Sequence, residues 1–407
     1  MVHVRILVLT PWVPYPLTGA CQQDRFAGLE QMQRLGHEVR VVAKIHAFQN
    51  RASVERVFAD RRLPLTLVPY VRSRLGLLVR RLPRVLRTPW LLDGAALEYT
   101  DPAFEEAALK AAAEMKPDAI WIEYTLLWPL LRLLKPLGIP MIVKSSLNEP
   151  RNCRDEHGGS VLSWIKSIPK YGGERIAARE SNMLLAITPD EEVWYRSLGA
   201  KRTGVLPLRG LARCFSRKTH ADKPVLDVVF LSSNYSMGHN RDAALLLLRD
   251  ILPRVRAAAP GRFRFHLTGK KFPDYWRHYL ADDAQTTGFV DDLGMFLATM
   301  DIAIAPSISG QGMQQKVFEP LCRGLPLITT HTAGYPFIGG EDVLLARSPD
   351  AYVEQLLRLT STTERQRIAD AAYEKAQTLF SEEAVMGTVK KALETVHISD
   401  IRNPNKF

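Results

Sequence analysis

The sequence predicts an α/β protein built from two doubly wound parallel-sheet domains in series. Three observations carry this. Short runs rich in Val, Ile and Leu alternate with longer segments of helical period. The alternation stops at a weakly patterned connector, 209–224, and then restarts. The chain has 407 residues, enough for two well-buried cores of about 200 residues each.

In the first half, 4–9, 39–43, 119–122, 141–143 and 184–187 read as buried strands. The segments 22–35, 102–115 and 174–181 read as helices. In the second half, 227–231, 263–267, 302–305 and 327–329 are strands, and 242–256, 292–300, 317–323 and 348–359 are helical. The tail, 363–397, reads as two helices with no strand after them.

Composition narrows the class. Apolar residues make up 46% and charged residues 24%, which excludes a disordered chain or a rod. Cys21, Cys153, Cys214 and Cys322 are far apart and form no C-x-x-C pair. Reduced thiols in a cytoplasmic protein are expected, and neither a disulfide framework nor a zinc ribbon. The opening apolar run is too short for a signal peptide. No apolar stretch reaches spanning length: the longest, 119–134, is interrupted by Glu123, Pro129 and Arg132.

A formal charge of +11 fits an anionic partner: nucleic acid, acidic lipid or a phosphate-bearing substrate. One segment concentrates it. Arg72, Arg74, Arg80, Arg81, Arg84 and Arg87 interleave with Leu and Val and no acid. Its readings are a solvated basic face, a patch for an anionic membrane near a lipid-linked acceptor, or a nucleic-acid surface. No nucleic-acid-binding motif accompanies the charge, so no nucleic-acid partner is expected.

Two loops can carry chemistry. The first strand runs into a Pro-rich loop, 11–19, ending at Gly19 before a helix. In an open parallel sheet, ligands bind beyond the carboxyl ends of strands, near helix N-termini. The second loop follows the strand 302–305. Gly310, Gln311, Gly312, Met313 and Gln314 lead into a helix on which Lys316, Glu319 and Arg323 lie within about 60° of one another. Amides, helix dipole and Lys316 suit a diphosphate, and Glu319 suits ribose hydroxyls. The same pattern also fits a solvated salt bridge on a surface helix.

These residues resemble a known family. Gly312-Met313-Gln314-Gln315-Lys316-Val317-Phe318-Glu319-Pro320-Leu321 is similar to the donor motif of GT-B glycosyltransferases of the retaining family 4 group. The loop 11–19, the stretch 230–243 with Asn234 and Arg241, and the turn 287–292 with Phe289 and Val290 match further segments in the expected order. The resemblance implies two facing Rossmann-like domains, an acceptor-side domain 1–212 and a donor domain 213–380. A helix and tail, 381–407, would pack back on the first. Lys316 would hold the diphosphate and Glu319 the ribose. Gly19 would offer amides near the phosphates, and Phe289 and Val290 would flank the base.

Two departures stand out. Gln311 occupies the position where many relatives carry the first acid of Glu-x7-Glu. The His that relatives often carry in the first domain has no counterpart; Glu123 and Glu149 are the candidate carboxylates there.

The implied activity is transfer of a sugar from a nucleotide-diphosphate sugar to a glycan or lipid-linked acceptor, with retention, in cell-surface glycan synthesis. A catalytically degenerate binding subunit and a nucleotide-sugar epimerase are the alternatives. No Asp-x-Asp occurs, so no metal or other cofactor is expected. The expected location is the cytoplasm or the inner membrane face.

Overall fold

The computed structural model describes residues 3–71, 82–156, 158–307, 312–330 and 341–401. The chain forms two compact units, one of 1–210 with 383–407, the other of 211–382.

The first unit is a seven-stranded sheet of order β3-β2-β1-β4-β5-β6-β7. Its strands are β1 (Arg5–Thr10), β2 (Glu38–Ile45), β3 (Leu65–Pro69), β4 (Ala119–Glu123), β5 (Met141–Lys144), β6 (Met183–Ala186) and β7 (Thr203–Val205). Every pairing is parallel, with Val8 opposite both Val41 and Trp121. Side chains alternate across a sheet, so β1 feeds two cores. Leu7 and Leu9 enter one with Ile120, Ile122 and Val143. Ile6 and Val8 enter the other with Val41, Trp121 and Ile142. Burial on both faces explains why these strands read as unbroken apolar runs.

The second core also takes Val385, Val389, Ala392, Leu393 and Val396 from the last helix, Glu382–Ile401. These recur at helical period and form one stripe. The preceding helix, Thr362–Phe380, stays with the second unit.

The second unit is a six-stranded parallel sheet of order β10-β9-β8-β11-β12-β13. It contains β8 (Leu226–Phe230), β9 (Phe263–Thr268), β10 (Ala284–Gly288), β11 (Ile302–Ala305), β12 (Leu327–Thr329) and β13 (Leu344–Leu345). In each sheet the strand order reverses once, between β1 and β4 and between β8 and β11. A crevice for ligand opens beyond the carboxyl ends of the strands at such a switch point.

The predicted strands are all present within a residue or two. Four were not read from the sequence: β3, β7, β10 and β13. Three helices differ from expectation. The segment 174–181 is only the end of a helix spanning Val161–Glu180. The segment 242–256 lies in a longer run that passes through a π-helical turn, Leu246–Ile251. The motif helix begins at Gln315, two residues before the expected 317.

The connector also differs. Arg209 was grouped with a weakly patterned linker, yet it is one of the most buried side chains in the first unit. It makes paired hydrogen bonds to Asp24 (Nη2 to Oδ2, 2.9 Å) and Glu123 (Nη1 to Oε1, 2.7 Å; Nη2 to Oε2, 2.9 Å). Lys144 joins through Asp24 at 3.1 Å. Burial alone would push the Asp24 carboxyl up, but the Arg209 and Lys144 charges outweigh it and hold it far below the usual range. Gly28 makes room for the clamp: a Cβ there would lie 2.1 Å from Arg209 Nη1. No helix among the described residues is long and apolar enough to cross a membrane.

Candidate functional site

In the second unit, the helices that follow β8 and β11 meet at the switch point. The helix after β11, Gln315–Cys322, begins beside the helix Gly238–Leu245 that follows β8. Lys316 Nζ donates to Asn240 Oδ1 at 3.0 Å. Asn240 is buried, and its Nδ2 donates to the Asn234 carbonyl at 3.0 Å. Asn234 turns its own side chain back onto Ser236, accepting from its N–H at 2.9 Å. No carboxylate pairs with Lys316 among the described residues. Burial therefore pushes its ammonium down to about 8. The result is a cation at a helix start whose partner is a neutral amide, at the place where the fold takes up ligands.

The solvated-salt-bridge reading of Lys316 and Glu319 does not hold. Glu319 is buried and accepts from Arg323 Nη2 at 2.9 Å and from Gln315 Nε2 at 2.8 Å. The two residues share a helix but have separate partners.

The other expected donor-side residues fall as follows. Gly312 has φ +70°, in the left-handed region that suits glycine. Met313 is buried, and Gln314 caps the helix and accepts from Ser307 Oγ at 3.2 Å. Phe289 is exposed just past β10, with Lys270 Nζ 4.2 Å from its ring centre, and Val290 is half-buried beside it. Arg241 is exposed and does not reach Lys316, whereas its neighbour Asn240 does. Gly310 and Gln311 lie outside the described residues. Periodicity gave no signal for Asn240, because its role comes from a contact 76 positions away.

In the first unit, Gly19 caps the helix Ala20–Arg34 in extended conformation. Glu123 corrects an expectation. It is not an open carboxylate: it is buried, both oxygens are bound by Arg209, and one also accepts from Trp121 Nε1 at 2.8 Å. Glu149 is more accessible. It accepts from Lys170 Nζ at 2.9 Å and from the Tyr124 hydroxyl. Tyr124 follows β4 with φ +109°, a strained value for a residue with a Cβ.

Three further groups near this edge went unread in the sequence. Arg25 is buried with its guanidinium 4.2 Å from the Trp12 ring centre, and neither terminal nitrogen has a hydrogen-bond partner. Burial pushes the Glu174 carboxyl up to about 8 and the Glu191 carboxyl up to about 7. Glu174 meets Thr125 Oγ1 at 2.8 Å and the Tyr195 hydroxyl at 2.9 Å.

Residues 29–209 match the family model for the glycosyl transferase 4-like domain, and 226–362 match that for glycosyl transferases group 1. The two matches together span most of the chain, one in each unit. The chain is a GT-B glycosyltransferase. Among curated proteins, none matches the sequence.

Solved structures agree on the fold of this glycosyltransferase. A sucrose-phosphate synthase from Thermosynechococcus elongatus matches with TM-score 0.71 at 14% identity, over 98% of this chain and 100% of that one. TarM matches with TM-score 0.70 at 8% identity, over 97% and 99%. Anabaena HepE, solved with UDP and glucose, matches with TM-score 0.64 at 14% identity, over 97% and 100%. The resemblance first seen in the motif 312–321 is thus confirmed for family and fold.

Proposed function

We propose that this glycosyltransferase binds a nucleotide-diphosphate sugar at the carboxyl edge of its second sheet and transfers the sugar with retention. One observation carries the reading: the Lys316 ammonium sits at a helix start at the switch point, bonded to neutral Asn240. A diphosphate would supply the missing anion. Glu319 Oε1 takes two donors from Arg323 and Oε2 takes one from Gln315, so a ribose hydroxyl would meet this carboxylate at Oε2. Phe289 and Val290 would flank the base. UDP is the first nucleotide to try, since HepE was solved with it.

The chemistry asks little of side chains. As the bond from the sugar to the diphosphate breaks, negative charge develops on the leaving phosphate, and Lys316 and loop amides stabilise it. The leaving phosphate takes the proton of the acceptor hydroxyl on the same face, so no protein nucleophile and no metal are required. Glu149 would position the acceptor, a glycan or lipid-linked sugar in cell-surface glycan synthesis. The protein would work in the cytoplasm or at the inner membrane face, drawn to anionic lipid by its arginine segment. Of that segment, Arg72, Arg74, Arg80 and Arg81 lie outside the described residues, as does the Arg84 side chain; Arg87 is exposed.

The test is turnover with water as acceptor. UDP-, GDP-, ADP- and dTDP-glucose are each incubated with the full chain, and nucleotide release and the anomer first formed are followed by NMR. One donor should release nucleotide and the retained anomer, and Lys316→Ala should slow release by about 100- to 1,000-fold. Equal rates in the variant, or an inverted anomer, would refute the mechanism.

A further inference from the structure

The helix Val161–Glu180 is inside out over its first three turns. Its buried side carries Ser163 and Ser167, whose hydroxyls donate to the carbonyls of Ser160 at 2.6 Å and Trp164 at 2.7 Å. Its outer side carries Val161, Trp164, Ile165, Ile168 and Tyr171, all exposed. At 100° per residue these five fall within an arc of about 120°. Apolar faces normally turn inward, so this one is built for a covering the described chain does not provide.

The surroundings say what kind. The helix packs against the turn Pro89–Leu92, with Gly172 set against Trp90. That turn and the helix before it, Leu82–Arg87, add exposed Leu82, Leu86 and Leu92. Cations rim the patch: Arg87, Arg151, Lys166 and Arg175 are exposed, and the Arg154 guanidinium lies 4.2 Å from the Trp164 ring centre. Asp155, on the helix Glu149–Glu156, and Asp190, on the helix that carries Trp194, are exposed acids. A groove of about 360 Å³ runs along the stripe between Pro150, Trp164, Ile168 and Trp194, room for part of an acyl chain.

Aliphatic and aromatic side chains ringed by cations suit one surface: a bilayer with anionic headgroups. We infer that the outer face of the helix Val161–Glu180 inserts into the headgroup boundary of an anionic membrane. This deepens the membrane part of the proposed function, on residues separate from the arginine segment, and is independent of which nucleotide is bound. A charge patch alone would give salt-sensitive adsorption, whereas this face adds burial of apolar area in the bilayer.

The test uses the full chain with phosphatidylcholine vesicles, with and without phosphatidylglycerol. Trp164 emission should shift to the blue on anionic vesicles and be quenched by brominated lipid, and Trp164→Phe should remove that component. Ile165→Glu with Ile168→Glu should lower partitioning by about tenfold or more, with circular dichroism and nucleotide binding unchanged. Wild-type partitioning by the double variant would overturn the inference and leave any membrane binding to the arginines. Burial of Trp164 that depends on protein concentration and not on lipid would also overturn it, and would identify a second copy as the cover. Nucleotide titration of the same samples reads the donor site separately, so failure of one reading cannot be mistaken for failure of the other.

Discussion

Lys316 keeps its proton against a desolvation cost, with an amide where a carboxylate would normally sit. Its ammonium titrates near 8 in the free protein, below the ordinary lysine value of about 10.4. Between those two values the unfolded chain binds more protons than the folded one, so this group makes stability rise with pH there. A bound diphosphate reverses the local field and raises the Lys316 value again. Nucleotide binding at pH 8.5 should therefore take up part of a proton, and affinity should fall as pH rises above 8. Calorimetry in buffers of different ionisation enthalpy reads the uptake directly. Its disappearance in Lys316→Ala assigns it; an uptake that persists in the variant would place the proton elsewhere.

At the scale of elements, the carboxyl edge of the first sheet is held by a buried ionic clamp. Arg209 ties the end of the first unit to the helix Ala20–Arg34 through Asp24 and to β4 through Glu123. Removing Arg209 leaves Glu123 with no cation in the interior and Asp24 with Lys144 alone, so Arg209→Met should destabilise the first unit by about 3–5 kcal/mol. Chemical denaturation followed by circular dichroism measures it, and a loss under 1 kcal/mol would show that the clamp relaxes around the gap.

Of this clamp the sequence marks only Glu123, and as a candidate site carboxylate, not as a partner of Arg209. Asp24, Lys144 and Arg209 are polar residues in unremarkable local settings, brought together over 185 positions. What could be read was whatever has a local cause. Central strands buried on both faces appear as apolar runs, and the motif helix keeps its loop and period. Strand β10 (Ala284–Gly288) reads Ala-Gln-Thr-Thr-Gly at a sheet edge and has no such signature. The helix Val161–Glu180 was half missed because Pro169 and the Gly172–Gly173 pair interrupt it, and because its apolar stripe faces outward. At the donor side, Lys316 and Glu319 could be singled out by their motif, but Asn240 could not.

At the scale of the molecule, each sheet carries its own switch point, and the chain returns from the second unit to the first through its last helix. That return brings Val385, Val389, Ala392, Leu393 and Val396 into the first unit's core. The formal charge of +11 acts on this whole body, favouring both a phosphate-bearing substrate and an anionic surface. The central claim is that a nucleotide diphosphate occupies the edge marked by Lys316. Calorimetric titration of UDP, GDP, ADP and dTDP into the full chain at pH 7, with Lys316→Ala alongside, tests it most directly. The account predicts that one nucleotide binds and that the variant loses about ten- to a hundredfold in affinity, the contribution of one charged hydrogen bond. Binding of no nucleotide, or equal binding by the variant, would contradict it.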